Sequence, residues 1–238
     1  MISVALHTIG QTPRPDLTPF IVAALSIRDI TTTGALDSLA LEDLQPVSQG
    51  DYPLETRLKD GSRVEVSVSF LEPLIQAQID RLDDDENLEV DLHIVLCAGP
   101  FPALVSGNLL IRPFENACDV FQSQSLEQLL VVVPFQGQIE PAVDKWSQAG
   151  YRVTVKAMDE RDKTLPADAW LTEIGQRSDA QALVLDYVGY PKAVLDSVNN
   201  ALSIPVFDLG HLATDYARQV IDEIQDMMSP SEELPSEQ

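Results

Sequence analysis

The stretch "LLVVVPFQGQIEPAVDKWSQAGYRVTVKA", residues 129–157, decides the fold class. Its first five residues form a continuous apolar run of strand length, the pattern of a strand covered on both faces. "IEPAVDKWSQAG" then brings Ala142, Val143, Trp146 and Ala149 onto one helical face, with Gly150 as the stop. "YRVTVKA" returns to strand. Strand, helix and strand in such close succession predict a parallel crossover, and the same rhythm extends in both directions.

Downstream, "ADAWLTEIGQR" (167–177) reads as a helix, "ALVLD" (182–186) as a strand, "KAVLDSVNNAL" (192–202) as a helix and "IPVFD" (204–208) as a short strand. A final long helix carries Leu209, Leu212, Tyr216, Val220 and Ile224 as its expected buried stripe. Upstream, "ISVALHTI" (2–9) reads as a strand, and "LTPFIVAAL" (17–25) as a helix that tolerates Pro19 only in its first turn. Two alternating runs flank Asp60-Gly61 in "LETRLKDGSRVEVSVS" (54–69), a hairpin signal. Leu71, Leu74, Ile75 and Ile79 recur at helical spacing, and "LHIVLC" (92–97) is a buried strand that enters "AGPFP". The stretch holding Pro113 and Cys118 shows no clear period, and the polar tail "SPSEELPSEQ" (229–238) is expected to fray. The sum is an α/β fold with a mainly parallel sheet.

Composition narrows the function. A chain of 238 residues, 45% of them apolar, can bury the core of one large domain or two small lobes. With 38 acidic and 15 basic residues its formal charge is -23, which repels nucleic-acid phosphate and anionic lipid, so neither is an expected partner. No segment approaches the roughly 20 apolar residues of a membrane span, and the N-terminus lacks the basic region and cleavage site of a signal peptide. Cys97 and Cys118 form neither a CxxC pair nor a disulfide framework; a cytoplasmic protein is expected. GxGxxG, GxxxxGK[ST], GxSxG and HExxH are all missing, so neither a cofactor nor a metal is expected.

In open α/β sheets ligands bind where loops leave the carboxyl ends of the strands. Three loops qualify: "GQTPRPD" (10–16), "CAGPFP" (97–102) and "DYVGYP" (186–191), each with a Gly and a Pro. Arg14, held between two prolines, suits a carboxylate or phosphate through two parallel hydrogen bonds. A surface arginine paired with Asp16 is the equal alternative. Cys97 precedes a Gly-containing turn whose amides favour a thiolate able to act as base or nucleophile, against the alternative of an inert buried cysteine. Cys118, among acidic neighbours, reads as structural. Tyr187 is either a proton donor or a packed loop tyrosine. His7, His93 and His211 are scattered, the first two inside apolar strands.

The segments "TIGQTPRPD" (8–16), "GALDSL" (34–39), "YPLETRLKDG" (52–61), "LCAGPFP" (96–102) and "LDYVGYP" (185–191) resemble the AroM family in sequence and order. AroM-like proteins are similar to the aspartate/glutamate/hydantoin racemase superfamily, whose fold is two α/β lobes with the site in the cleft between them. The resemblance implies a first lobe of residues 1–122 plus a returning helix 209–228, and a second lobe of residues 123–208. In that superfamily a cysteine from each lobe faces one side of the substrate's α-carbon. Cys97 matches the first position; the second falls at Tyr187, where many relatives read "LDC". A thiol opposite a phenol is mismatched by about 2 kcal/mol in acidity, which disfavours a symmetric racemase. The resemblance therefore implies a cofactor-independent enzyme of the racemase, isomerase or lyase type acting on a small carboxylate. Cys97 would be the acid/base, Tyr187 an opposite-face donor and Arg14 the anion anchor, with Thr12, Gly99 and Gly189 lining the cleft. A non-catalytic small-anion-binding or regulatory protein is the alternative, and a homodimer is left open.

Overall fold

The computed structural model describes residues 2–158 and 166–228; the tail expected to fray lies outside them. The chain enters on β1 (Ser3–Thr8), α1 (Thr18–Leu25) and β2 (Asp29–Gly34), then forms the hairpin β3 (Pro53–Arg57) and β4 (Arg63–Ser67). Helix α2 (Val68–Asp83), β5 (Leu92–Val95), β6 (Leu109–Ile111) and α3 (Pro113–Ser123) follow. The rest runs β7 (Gln128–Val133), α4 (Ile139–Gln148), β8 (Arg152–Ala157), α5 (Ala167–Gln176), β9 (Ala182–Leu185), α6 (Lys192–Ala201), β10 (Val206–Asp208) and α7 (Leu209–Met228).

These strands make two parallel four-stranded sheets, ordered β2-β1-β5-β6 and β10-β9-β7-β8, with the antiparallel β3-β4 hairpin apart. Alternation along each strand feeds a core on either face. In the first sheet Val4, Leu6, Leu92 and Ile94 meet Ile21 and Leu25 of α1 and Ala213, Ala217 and Ile221 of α7. On the opposite face Val95 and Cys97 meet Leu71, Ile75 and Ile79 of α2. In the second sheet Leu130, Val132, Leu183 and Leu185 pack against α5 and α6. Leu129, Val131, Val133 and Val184 pack against Trp146 of α4 and against Phe114, Ala117 and Phe121 of α3. Helix α3 therefore covers the second sheet although it follows a strand of the first, and α7 makes the reverse crossing.

Three departures from the sequence reading have physical causes. The buried stripe of α7 is Leu209, Ala213, Ala217 and Ile221, a rotation from the expected set, and Tyr216 is exposed. Small side chains at 213 and 217 let the helix approach closely, and apolar size alone does not signal that. Strand β2, "DITTTG", gives no strand signal in the sequence because it is a half-exposed edge that pairs only with β1 and needs no apolar run. Pro113 opens α3 at a position where its missing N–H costs nothing.

The β1-β5 register sets Ala5 opposite His93 and His7 opposite Val95, so the two histidines are diagonal neighbours on the α2 face. His7 Nδ1 lies 2.8 Å from Thr33 Oγ1, His7 Nε2 2.8 Å from His93 Nδ1, and His93 Nε2 2.9 Å from Asp83 Oδ1. One proton arrangement satisfies the whole chain with both rings neutral: Thr33 O–H donates to His7, His7 N–H to His93, and His93 N–H to the carboxylate. Burial drives the His7 pKa down to about 3 and also lowers that of His93. Below about pH 6.5 the unfolded chain therefore binds protons that the folded chain refuses. Stability is full above that pH and is lost as pH falls toward 3, by up to about 1.4 kcal/mol per pH unit for His7, with His93 adding in the same direction. Urea unfolding between pH 6.5 and 4.5 should show this slope, and His7→Leu/His93→Leu should flatten it.

Candidate functional site

The three loops flagged by the sequence leave the carboxyl ends of β1, β5 and β9 and meet at a cavity between the sheets. Arg14, Cys97, Gly99 and Tyr187 all line it, together with Tyr52, Thr56, Gln138 and Asp186. It offers about 50 Å³ to the centres of water molecules. Thr12 is not brought there; its backbone N–H and hydroxyl bond the Asp37 carboxylate at 2.6 and 2.9 Å. Gly189 lines two neighbouring cavities instead, at a φ of 119° that favours glycine.

Arg14 is buried, not on the surface, and yet it does pair with Asp16. Its Nε and Nη2 each donate to that carboxylate at 2.8 Å, a bidentate grip. Nη1 turns inward to Thr8 Oγ1 at 3.0 Å and Thr56 Oγ1 at 3.4 Å. The guanidinium holds the Asp16 carboxyl below the usual carboxylate range. Close approach of the hairpin secures the loop, since a Cβ on Gly10 would meet Arg57 O at 2.4 Å. Gln11 N–H accordingly donates to that same carbonyl at 3.1 Å.

Cys97 overturns one expectation. The Gly99 N–H does donate to Sγ, at 3.3 Å, but this contact does not create a thiolate. Burial pushes the thiol up to about 12, outweighing the amide and the charges of Lys145 and Arg14. Both phenols facing the cavity are also raised, chiefly by burial: Tyr52 well above its ordinary value, with Asp186 and Cys97 adding to the effect, and Tyr187 less. At neutral pH the wall therefore presents one S–H, two phenolic O–H groups and a guanidinium edge. Tyr187 retains 37% of its surface exposed, so it sits at the rim. Cys118, the structural candidate, lies at α3, where its carbonyl accepts from Tyr151 at 3.0 Å.

Sequence reasoning missed Lys145, which the helical pattern put among the polar positions of α4. It is buried, and Nζ donates to both Asp186 oxygens, at 2.7 and 2.6 Å, and to Ala98 O at 3.1 Å. Trp146 Nε1–H adds a bond to the same carboxylate at 2.8 Å. Rings of Phe114 and Tyr52 stand 4.5 and 5.3 Å from the ammonium. One cation from the second sheet thus clasps the backbone beside Cys97 of the first. Tyr52 and Gln138 were likewise missed. Only Tyr52 carried a hint, at the head of "YPLETRLKDG".

A family model described as AroM protein matches residues 4–224. The chain belongs to the AroM family. No curated protein sequence matches it. Among solved structures, this AroM protein is similar to a maleate isomerase from Pseudomonas putida S16, at 14% identity and a TM-score of 0.57, over 93% of this chain and 94% of that one. It is also similar to a liganded double mutant of arylmalonate decarboxylase, at 12% identity and a TM-score of 0.61, over 92% of both chains. A glutamate racemase from Bacillus anthracis gives 13% identity and a TM-score of 0.53, over 95% of this chain and 83% of that one. These likenesses show the two-lobed racemase-like fold. No helix among the described residues is long and apolar enough to cross a membrane.

Two measurements check this geometry. Lys145→Met leaves the Asp186 carboxylate buried beside a methionine and should cost about 3–5 kcal/mol of unfolding free energy by urea titration. Iodoacetamide should alkylate Cys97 at pH 8 roughly a thousandfold more slowly than an ordinary cysteine, accelerating tenfold per pH unit toward 12. Mapping by mass spectrometry separates it from Cys118.

Proposed function

We propose that this AroM protein is a cofactor-independent, cytoplasmic enzyme of the isomerase or lyase type that delivers a proton from Cys97 to a small carboxylate. What carries the reading is that a thiol, a guanidinium and a phenol from three distant loops line one cavity. The fold supports it, because the similar structures include a maleate isomerase, an arylmalonate decarboxylase and a glutamate racemase.

In this scheme the substrate carboxylate takes over the Arg14 Nη1–H groups that the Thr8 and Thr56 hydroxyls otherwise accept from, while Asp16 holds the guanidinium in orientation. The carbon next to the carboxylate, carrying in an enediolate the electron pair left when its bond to a second carboxylate breaks and carbon dioxide departs, takes the proton of Cys97. The C–H bond forms as S–H breaks, and sulfur keeps the pair. A resting thiol suits this direction, since a group whose pKa is raised by burial is an acid with its proton in place. The new thiolate is met by the Gly99 N–H and lies in the field of Lys145 and Arg14. Tyr187, at the rim, donates to the opposite side of the substrate. Unequal partners of this kind favour one-sided protonation over symmetric racemisation.

A second reading has two observations in its favour. The charge of Arg14 is matched by Asp16 and Cys97 is strongly desolvated, as in a binding protein that performs no reaction. Kinetics on a panel of small mono- and dicarboxylates separate the two. The enzyme reading expects Cys97→Ser to reduce turnover of an accepted acid by at least about a thousandfold while its thermal-shift affinity stays within a few fold. Unchanged turnover in Cys97→Ser removes the thiol from the mechanism; stabilisation by acids with no turnover in the unaltered protein favours the binder.

A further inference from the structure

Gln138 lines the cavity and carries a buried group that nothing among the described residues answers. It sits on the 3-10 turn Gln136–Gln138 between β7 and α4, and only 4% of its surface is exposed. Its Nε2–H donates to Pro53 O at 2.8 Å, which fixes the amide across the gap between the sheets and settles which end is nitrogen. Oε1 is left buried with no partner among the described residues. Of the buried side-chain atoms in that condition, it alone belongs to a residue lining the cavity of Cys97. An orphaned buried acceptor costs free energy that a donor from a ligand or a bound water recovers.

The charges nearby decide what kind of donor. Both oxygens of Asp186 are taken by Lys145 and Trp146, and Asp16 is engaged by Arg14. Glu55 on the wall bonds Arg63 at 2.9 Å. A substrate ammonium would meet only carboxylates already engaged by Lys145, Trp146, Arg14 and Arg63, and a neutral amide oxygen does not offset the loss of its hydration. A hydroxyl satisfies the same acceptor without that cost.

We infer that the cavity is built for a hydroxycarboxylate, its carboxylate toward the inward edge of Arg14 and its hydroxyl donating to Gln138 Oε1. This rests on the cavity being a small-carboxylate site, and it names the substrate class. Gln138 is then a specificity determinant: it discriminates a hydroxy acid from the deoxy acid, which leaves Oε1 unpaired, and from the amino acid, which brings an unmatched charge.

The test is isothermal titration at pH 7.5 with three matched sets of increasing size: lactate, propionate and alanine; malate, succinate and aspartate; mandelate, phenylacetate and phenylglycine. Slowing of Cys97 alkylation at pH 9 reports whether a bound acid occupies the cavity. In at least one set the hydroxy acid should bind at least about tenfold more tightly than both companions, and Gln138→Met should bring it level with the deoxy acid. Acids that protect Cys97 with no preference for the hydroxyl, tighter binding of the amino acid, or a preference that survives Gln138→Met each overturn the inference and leave the carboxylate site standing. If no acid binds or protects Cys97, the site and the inference fall together. Should Gln138→Met not fold, the matched sets on the unaltered protein decide alone.

Discussion

The bond between Lys145 and Asp186 is the constraint on which the site depends. Burying an ammonium and a carboxylate is costly, and such a pair survives only when its remaining hydrogen-bonding capacity is met. Here the third donor of Lys145 goes to Ala98 O and the second oxygen of Asp186 to Trp146. Because Ala98 follows Cys97 directly, the geometry that satisfies the ion pair also fixes the thiol. Asp186 in turn precedes Tyr187, so the same bond positions the rim of the cavity. Gln138, reaching from the second sheet to Pro53 of the hairpin, ties the same seam at a second point.

Sealing the seam sets the chemistry. Removal of water raises the pKa of Cys97, Tyr52 and Tyr187 together, so these three groups keep their protons and the hollow is rich in donors. Its complement is an acceptor-rich ligand such as a carboxylate or an enolate. Arg14 does not add a free positive charge; Asp16 cancels most of it and leaves a directional edge. Selectivity among small acids then falls to neutral polar groups, with Oε1 of Gln138 the one buried side-chain acceptor in the cavity lining that lacks a partner among the described residues.

Much of this was legible from residues alone. Continuous apolar runs marked β1, β5, β7 and β9 because each is covered on both faces, and the hairpin followed from Asp60-Gly61. Loops at the carboxyl ends brought forward Arg14, Cys97 and Tyr187, and the structure gathers them at one cavity. Lys145 escaped because amphipathic patterning assigns a lysine to solvent, and only the tertiary arrival of Asp186 and Ala98 reverses that. Gln138 escaped for a similar reason: an amide in a turn carries no signal until the opposing hairpin is in place. The thiolate expected at Cys97 failed on magnitude, since one amide hydrogen bond cannot offset full burial of the charge.

The most direct measurement follows solvent deuterium into small acids incubated with the protein in heavy water, read by proton NMR and mass spectrometry. The account predicts one deuterium placed stereospecifically on the carbon beside the carboxylate, whether by exchange or on loss of carbon dioxide, and no incorporation with Cys97→Ser. Incorporation that is equally fast without the sulfur, or acids that bind in the cavity and never acquire deuterium, would contradict it.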